Sequence, residues 1–361
     1  MRRFIILLLL LAVVGVLVVY AMAGYARLSE PFKGYVDAEQ FVDVPPKTGT
    51  QAIGRFLVES GVVSDILTWR VALWRSPDAT KLKAGEYRFD RAMTVDEVIR
   101  KLARGDVYLR SLTFPEGLTI RQMARLYEGA GFGPASAFTE AATNVGLVSG
   151  IDPAAQDLEG YLFPDTYALP RRATAPDLVR KMVVRFETVF SPALRDAALS
   201  IGMSPREAVI LASIVEKETA RADERPTVAA AYQNRLRVRM GLQCDPTVIY
   251  ALERAGRYIG NLTHADLNFN SPYNTYRYAG LPPGPIGSPG RASLEAAVRP
   301  APVNYLYFVS RNDGSHAFAA TLDEHNRNVH KYQVDFFRDQ RAKEQAARGG
   351  GASARKSPAG K

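Results

Sequence analysis

An uninterrupted apolar segment near the N-terminus limits how this chain can fold. Residues 4–23 carry no charged side chain, and about twenty apolar residues in a helix span the hydrocarbon core of a bilayer. Arg2 and Arg3 precede the segment, and basic residues that flank a span stay on the cytoplasmic side. The sequence therefore predicts a transmembrane helix over residues 4–23, with residues 1–3 in the cytoplasm and the rest of the chain on the opposite side.

A cleaved signal peptide is the alternative interpretation of this segment. The letters "AMA" at residues 21–23 match the small-residue pattern of a signal peptidase site. The apolar run is longer than that of a usual signal peptide, which favours a retained anchor. No cysteine follows the run, so a lipoprotein is excluded. In both interpretations the large part of the chain works outside the inner membrane.

The composition excludes several classes of protein. The formal net charge is +9, but residues 341–361 alone hold six basic side chains and one acidic side chain. This stretch has little to bury, so it is predicted to be a disordered basic tail. The body of the chain lacks a stripe of basic and aromatic residues, and nucleic acid is not an expected partner. One cysteine and four scattered histidines cannot form a Cys/His zinc cluster, and neither a metal nor a cofactor is expected.

The chain has 361 residues and 47% apolar side chains, enough for two or more domains with their own cores. Capped amphipathic patterns alternate with a few strand-like stretches such as "AGEYRF", which predicts an α+β fold. By contrast, "DLEGYLFPDTYALP" is too rich in proline, glycine and aromatic residues to predict a regular element. The predicted divisions are the span at 4–23, a linker at 24–40, a small α/β domain at 41–110, an intermediate segment at 111–202, a mainly helical domain with a small sheet at 203–340 and the tail at 341–361.

Two glutamates end a predicted helix in "LASIVEKETA", residues 211–220. Each helical residue advances about 100° around the axis, which places Glu218 between Ile214 and Val215 on the apolar face and Glu216 away from it. A carboxyl group held against apolar side chains is costly to ionise, so its pKa rises and it can serve as a general acid. The helical pattern makes Glu218 a candidate catalytic acid.

The alternative for Glu218 is a buried glutamate that is satisfied by a partner such as Arg225 or Arg235. Glu216 is expected to be an ordinary carboxylate that pairs with a nearby arginine. From helix geometry alone, both interpretations of Glu218 stay open.

A long irregular loop at residues 270–290 is the second candidate part of the site. It holds Tyr273, Asn274 and Tyr276 among prolines and glycines. Amides and phenols suit a polar, uncharged ligand such as a glycan, because they hydrogen bond in both directions and aromatic faces pack on C–H groups. Asn234 and Gln243 add polar groups beside predicted helices, so these five residues are the predicted substrate-binding set. The alternatives are a lid over the core for the loop, and a cap or core hydrogen bond for Asn234 and Gln243.

Several motifs together resemble the endolytic murein transglycosylase family. They are "LASIVEKET", "NRL", "LQCDPTVIY", "SPYNTYRYAGLPPGPI" and "YLYFV…HAF…EHN", in this order and at this spacing. Upstream, "KAGEYRF" at 83–89 and "EGYLFPDTY" at 159–167 resemble further motifs of that family. The resemblance extends from the apolar N-terminal segment to about residue 340.

The resemblance implies a single-pass protein of the bacterial inner membrane, with a LysM-like domain at 41–110 and a catalytic domain at 203–340 in the periplasm. Such enzymes cleave nascent glycan strands of peptidoglycan endolytically between N-acetylmuramic acid and N-acetylglucosamine. They leave 1,6-anhydro-muramoyl ends, which terminates elongation of the strand. The family's catalytic glutamate is the second of its "EKE" pair, which falls on Glu218. The family also implies glycan synthases and penicillin-binding proteins as partners.

One carboxyl group is sufficient for this lyase reaction, since it can act first as acid and then as base. Ordinary glycosidases need a second carboxylate, and the nearest alternative here is Asp245, which is predicted to cap a helix. Cys244 is expected to be a small buried residue without a chemical role.

Two rival functions belong to other classes. The first rival function is that of a non-catalytic, membrane-anchored scaffold that binds the cell wall. The second is a metal-dependent amidase built on His316, His325 and His330. His325 and His330 are five residues apart on a predicted helix, which makes them poor joint ligands.

Overall fold

The computed structural model describes residues 2–341 and residue 344. The chain divides into two compact units. The first contains the described residues up to Ser111 together with Ala168–Ala173, and the second contains Leu112–Tyr167 and the described residues from Thr174 onward. Helices and small two-stranded sheets make up both, in agreement with the predicted α+β class. The predicted basic tail lies outside the described residues, except for residues 341 and 344.

The first unit is a small helical unit with one two-stranded sheet whose strands are separated in sequence by two helices. Its elements are α1 (Arg2–Ser29), β1 (Gln40–Val44), α2 (Thr50–Glu59), α3 (Ile66–Arg75), β2 (Gly85–Phe89) and α4 (Val95–Arg104). Strands β1 and β2 are antiparallel, with Gln40 opposite Phe89 and Val44 opposite Gly85. The predicted strand "AGEYRF" and the helices on either side of it are confirmed.

Trp69 forms the centre of the core of this unit. Its side chain is fully buried, and its indole N–H donates to the backbone carbonyl of Thr50 at 2.9 Å. The ring lies directly on Gly54 of α2, where a Cβ atom would meet Trp69 Cδ1 at 2.2 Å. The core thus requires glycine in the middle of α2, despite the cost of glycine to a helix. The LysM-like character of residues 41–110 stays a prediction.

The second unit carries most of the helices. The second unit includes Leu112–Thr113 of strand β3 (Arg110–Thr113) and Thr166–Tyr167 of strand β4 (Thr166–Leu169), and these two strands pair with each other. The helices are α5 (Ile120–Gly129), α6 (Ala135–Ala141), α7 (Ala175–Val189), α8 (Pro192–Ser200), α9 (Pro205–Glu218), α10 (Arg225–Arg237), α11 (Asp245–Arg254), α12 (Arg291–Val298) and α13 (Leu322–Val329). The remaining elements are β5 (Tyr307–Ser310) antiparallel to β6 (His316–Ala319), 3₁₀ turns at Val145–Val148 and Asp266–Asn268, and a π-helical stretch at His330–Asp335.

Strand β4 corrects one sequence interpretation. It lies inside "DLEGYLFPDTYALP", which was not expected to form a regular element. Only the last part of that segment is regular, and its strand residues alternate between exposed and buried. The pairing with β3 supplies the backbone partners that local sequence does not reveal.

Helix α9 is the central helix of the second unit. Ser204 caps it through a capping box with Glu207, and Pro205 occupies its first turn. Residues 208–215 are all buried, because α8, α10, α11 and α12 pack around the helix. A helix that is apolar on every side is a core helix. Its C-terminal end places Glu216 and Glu218 between elements of the unit.

The N-terminal helix α1 is longer than the predicted span, since it continues to Ser29. Phe4, Leu10 and Val19 on this helix are exposed. Within the described part of the chain, no single helix combines the length and hydropathy needed to cross a bilayer; α8 and α9, bent by 93°, do so only as a pair. The assignment of residues 4–23 to a membrane stays a prediction.

Candidate active site

Glu218 ends α9 and is held by two uncharged donors. Its Oε2 atom accepts hydrogen bonds from the Tyr232 hydroxyl at 3.0 Å and from the Cys244 thiol at 3.3 Å. Burial raises the pKa of Glu218, while these two hydrogen bonds and the nearby His316 act in the opposite direction without cancelling it. The predicted raised pKa is thus supported by the geometry. Neither Arg225 nor Arg235 pairs with this carboxyl group in the described residues.

Glu216 has the arginine partner that the sequence predicted. Arg225 Nη2 lies 2.8 Å from Glu216 Oε1, with side chains only 10% and 6% exposed. Glu216 Oε2 accepts from the backbone N–H of Gly290 at 2.9 Å. Contrary to the expectation from the helical pattern, Glu216 is therefore well enclosed, because neighbouring elements cover all sides of α9. The two glutamates differ in their partners.

His316 pairs with Glu224 beside Glu218. The His316 ring Nδ1 lies 2.7 Å from Glu224 Oε2, and the His316 backbone N–H donates to Glu224 Oε1 at 3.0 Å. The His316 ring also contacts Phe308 edge-on, and its electrostatic effect lowers the pKa of Glu218. This fixed imidazole is a component of the site that the sequence considered only as a metal ligand.

A hydrogen bond between Tyr276 and Asp245 holds the loop at residues 270–290 near Glu218. The Tyr276 hydroxyl donates to Asp245 Oδ1 at 2.6 Å, and Tyr276 is 37% exposed. Burial raises the pKa of Tyr276, and the hydrogen bond to Asp245 and the charge of that residue add to the effect. Asp245 does not cap α11 as predicted: Cys244 is the N-cap residue, and Asp245 is the first helical residue.

Gln243 precedes Cys244 and is exposed. Its φ of 49° lies in the left-handed region, which a glutamine rarely adopts. The backbone N–H donates to the Thr275 carbonyl at 3.2 Å. The strained turn therefore joins the segment before α11 to the loop that carries Tyr276.

Asn234 and Asn274 have structural contacts. Asn234 Nδ2 donates to the carbonyls of Val303 and Tyr305, each at 2.9 Å. Asn274 is 0% exposed, and its Nδ2 donates to the carbonyls of Leu267 and Phe269 at 2.9 and 2.8 Å. These bonds favour the alternative of core hydrogen bonds over direct ligand contact.

Tyr273 belongs to a different cluster. Its ring lies 4.9 Å from that of Tyr250, and the Arg254 guanidinium lies 5.5 Å from its centre. Tyr250 in turn donates to the buried Glu159 at 3.2 Å. Tyr273 thus packs beside a second buried carboxyl group and has no recorded contact with Glu218.

The loop at residues 270–290 has two halves. Residues 276–279 are exposed, whereas residues 284–290 are buried. The buried half packs against the "PEGL" segment, with the Gly117 N–H donating to Ser288 O and the Ser288 N–H donating to Leu118 O. At Gly290 a Cβ atom would meet Glu116 Oε1 at 1.8 Å. The loop is therefore both a cover over the core and an exposed edge beside Tyr276.

A separate cavity of about 730 Å³ lies near the start of α9. Met203, Ser204 and Arg206 line it together with Leu281 and Pro282 of the loop. Thirteen residues lie between Ser204 and Glu218, the last residue of α9. At about 1.5 Å per helical residue, the two ends are about 20 Å apart. This cavity is thus not the Glu218 site.

The three histidines of the rival amidase interpretation have different partners. His316 pairs with Glu224, His330 with Asp335 at 3.1 Å, and His325 stacks on Tyr307 at 5.2 Å. Among the described residues, no three His, Cys, Asp or Glu side chains come together as a potential metal centre. The geometry does not assemble the site that the amidase interpretation needs.

Sequence reasoning missed Tyr232, Cys244 and the His316–Glu224 pair as neighbours of Glu218. Cys244 was expected to have no chemical role, yet its thiol contacts the carboxyl group. The only available signal was that "AYQNRL" and "LQCDP" are motifs of unusual polarity next to apolar helices. Taken together, the fold and site define an α+β protein in which a carboxyl group with a raised pKa, Glu218, ends a central helix.

This chain belongs to the YceG-like family, whose model matches residues 42–331. An endolytic murein transglycosylase of Bacillus subtilis is 29% identical over 309 residues, covering 81% of this chain and 84% of that protein. An endolytic murein transglycosylase of Streptococcus pneumoniae is also 29% identical, over 80% of this chain, and this chain matches 57% of its length.

A solved structure supports the same assignment. The crystal structure of a putative yceG-like protein from Listeria monocytogenes has a TM-score of 0.55 and 31% identity, covering 80% of this chain and 98% of that one. The family resemblance drawn from the sequence motifs is confirmed.

Proposed function

We propose that this protein is a lytic transglycosylase of peptidoglycan, with Glu218 as its catalytic acid and base. The observation that carries the proposal is the environment of Glu218: its pKa is raised by burial, and its partners Tyr232 and Cys244 are uncharged. Such a carboxyl group stays protonated at a higher pH than an ordinary glutamate, as a general acid requires. The relatives named endolytic murein transglycosylase support the same substrate class.

The proposed reaction uses one carboxyl group for two proton transfers. Protonated Glu218 donates its proton to the oxygen that links N-acetylmuramic acid to N-acetylglucosamine, and the bond from the anomeric carbon to that oxygen breaks. The 6-hydroxyl oxygen of the same muramoyl residue bonds to the anomeric carbon, and its proton passes to the Glu218 carboxylate. A 1,6-anhydro end forms without consuming water, and Glu218 is ready for the next cycle.

The proposed cellular setting follows from the N-terminal segment. We place residues 4–23 in the bacterial inner membrane, residues 1–3 in the cytoplasm and the rest of the chain in the periplasm. The exposed apolar side chains of α1 support an anchor, and the basic pair Arg2 and Arg3 supports the orientation. There the enzyme cuts nascent strands and ends their elongation, with glycan synthases and penicillin-binding proteins as proposed partners.

Product analysis tests the proposal. The full chain in detergent is incubated with uncrosslinked glycan strands, and muropeptides are analysed by mass. We expect 1,6-anhydro-muramoyl ends to accumulate with time, each lighter by one water than a hydrolysed end. Accumulation of hydrolysed ends would contradict the lyase mechanism. No new ends from a folded chain that still binds the strands would favour the wall-binding scaffold.

A further inference from the structure

The two oxygens of the Glu218 carboxyl group have different surroundings. Oε2 accepts both hydrogen bonds, from Tyr232 and from Cys244. In the described residues, no hydrogen-bond donor is recorded for Oε1. The carboxyl group is therefore held at one oxygen only, and the other is free to meet a ligand.

Both donors are fixed by contacts outside the carboxyl group. The Tyr232 side chain is 1% exposed, and its ring packs edge-on against Phe308 at 5.6 Å. The Cys244 backbone N–H donates to Thr275 Oγ1 at 3.0 Å, and its carbonyl accepts from Thr247 Oγ1 at 2.6 Å. The donors thus stand in place before any substrate binds, which is preorganisation.

Both donors also stay protonated. Burial raises the pKa of the Tyr232 hydroxyl and of the Cys244 thiol far above their ordinary values. Each is therefore a neutral O–H or S–H group at neutral pH, and its hydrogen atom points to an acceptor. Glu218 Oε2 is the carboxyl oxygen that both contact.

We propose that Tyr232 and Cys244 are positioning residues that hold Glu218 Oε2, so that Oε1 delivers the proton to the glycosidic oxygen and receives the proton of the 6-hydroxyl. This inference rests on the proposed function. It assigns the buried thiol a role in the reaction, although the thiol itself touches no substrate atom.

The energetic reason is the charge that develops on Glu218. Once Oε1 has given up its proton, negative charge spreads onto Oε2, and hydrogen bonds to a charged acceptor are stronger than those to a neutral one. The two donors therefore stabilise the transition state more than the ground state, which raises kcat rather than lowering KM. They also favour the carboxylate, and so limit how far burial raises the pKa of Glu218.

The charged and titratable groups near Glu218 come from four places. They are Tyr232 on α10 and Glu224 just before it, Cys244 and Asp245 at the start of α11, His316 on β6 and Tyr276 in the loop. Every one except the substituted residue is retained in each variant below. A shift of the pH profile between variants thus reports the substituted donor.

The test uses the full chain in detergent with the substitutions C244A, C244S and Y232F. Because Glu218 must begin protonated, kcat falls as the pH rises through its pKa. C244A removes a donor to the carboxylate, so we expect this fall at higher pH than in the wild type. C244S offers a stronger O–H donor in place of S–H, so we expect the fall at lower pH. Y232F should move the fall in kcat to higher pH. It should also lower kcat about tenfold and change KM by less than about twofold.

Y127F is the matched control, because Tyr127 is a buried tyrosine whose hydroxyl donates to the Phe132 carbonyl at 3.0 Å. The Y127F variant loses one hydrogen bond that does not involve Glu218. Its pH profile of kcat should therefore match that of the wild type. Thermal unfolding of each variant establishes that the chain is folded.

An activity-independent readout separates this inference from the proposed function. Infrared difference spectra against E218Q follow protonation of the Glu218 carboxyl group during a pH titration. Opposite shifts for C244A and C244S support the inference, whether or not glycan strands are cut. Equal midpoints in folded C244A, C244S and Y232F overturn it. Absence of strand cleavage by the wild type overturns only the proposed function.

Discussion

At the level of single residues, burial alone does not distinguish the carboxyl groups of this protein. Glu216 is enclosed but has two strong partners, the Arg225 guanidinium and the Gly290 N–H. Glu218 meets a phenol and a thiol, which are weaker partners for a charge. The same helix end thus carries one structural carboxylate and one candidate acid.

Glu159 is another buried carboxyl group, and it lies outside the proposed reaction. Its oxygens accept from the Ile120 backbone N–H at 3.1 Å and from the Tyr250 hydroxyl at 3.2 Å. Burial, assisted by the charge of Asp157, raises the pKa of Glu159 to about 8. This group links the start of α5 to α11.

The substitution E159Q should remove a pH dependence of stability. The folded-state pKa lies above the unfolded value, so the favourable contribution of Glu159 is complete below the unfolded pKa and is lost as the pH rises through about 8. We expect E159Q to gain stability over the wild type between about pH 5 and pH 9, by a few kcal/mol at the upper end.

Chemical unfolding at both pH values measures this difference. The wild type and E159Q share all other titrating groups. The pH dependence of the difference between their free energies of unfolding therefore isolates Glu159. Parallel stability profiles would show that this carboxyl group is not protonated in the folded chain.

The sequence could place Glu218 but not its partners. Helical periodicity is local, so it identified a glutamate on an apolar helix face. Tyr232 and Cys244 are 14 and 26 residues away along the chain, and their contacts depend on how α10 and α11 pack on α9. Glu216 was misjudged for the same reason, since only tertiary packing encloses the polar side of the helix.

At the level of elements, the caps were the most predictable features. Capping boxes at Thr94, Ser204 and Thr321 start α4, α9 and α13, because each depends on residues only three positions apart. The small sheet predicted within residues 203–340 is present as β5 and β6. Strand β4 and the cap at Cys244 were missed, as both depend on partners distant in sequence.

The loop at 270–290 keeps its shape through Asn274. Because this amide is fully buried and donates to two carbonyls, N274A should leave both carbonyls without a partner. We expect the free energy of unfolding to fall by about 2–3 kcal/mol. The exposed Asn270, which accepts from Tyr278 at 2.8 Å, provides the control.

Thermal unfolding of N274A and N270A measures this difference. N270A should change the unfolding free energy by less than about 0.5 kcal/mol. Equal effects of the two substitutions would contradict the structural role of Asn274 and would return it to the candidate ligand-binding residues.

At the level of the whole molecule, the proposed activity depends on where the chain is held. An anchor at residues 4–23 would keep the second unit close to the membrane, where glycan strands are polymerised. Helix α1 continues to Ser29, so six helical residues follow the proposed span.

Removal of residues 1–29 tests the anchor. We expect the full chain to stay in the membrane fraction through an alkaline carbonate wash, because about twenty apolar residues make insertion effectively irreversible. The shortened chain should appear in the soluble fraction. Release of the full chain by the wash would contradict a membrane span and would favour the cleaved signal peptide.

The most direct measurement compares strand cleavage by E218Q and E216Q. Loss of a general acid and base costs on the order of a thousandfold or more in kcat, so folded E218Q should produce no measurable 1,6-anhydro ends. E216Q breaks a buried ion pair, so it should unfold about 3 kcal/mol more easily yet still release these ends below its unfolding temperature. Strand cleavage by E218Q would contradict the assignment of Glu218. So would a folded E216Q that cuts no strands while E218Q still cuts them.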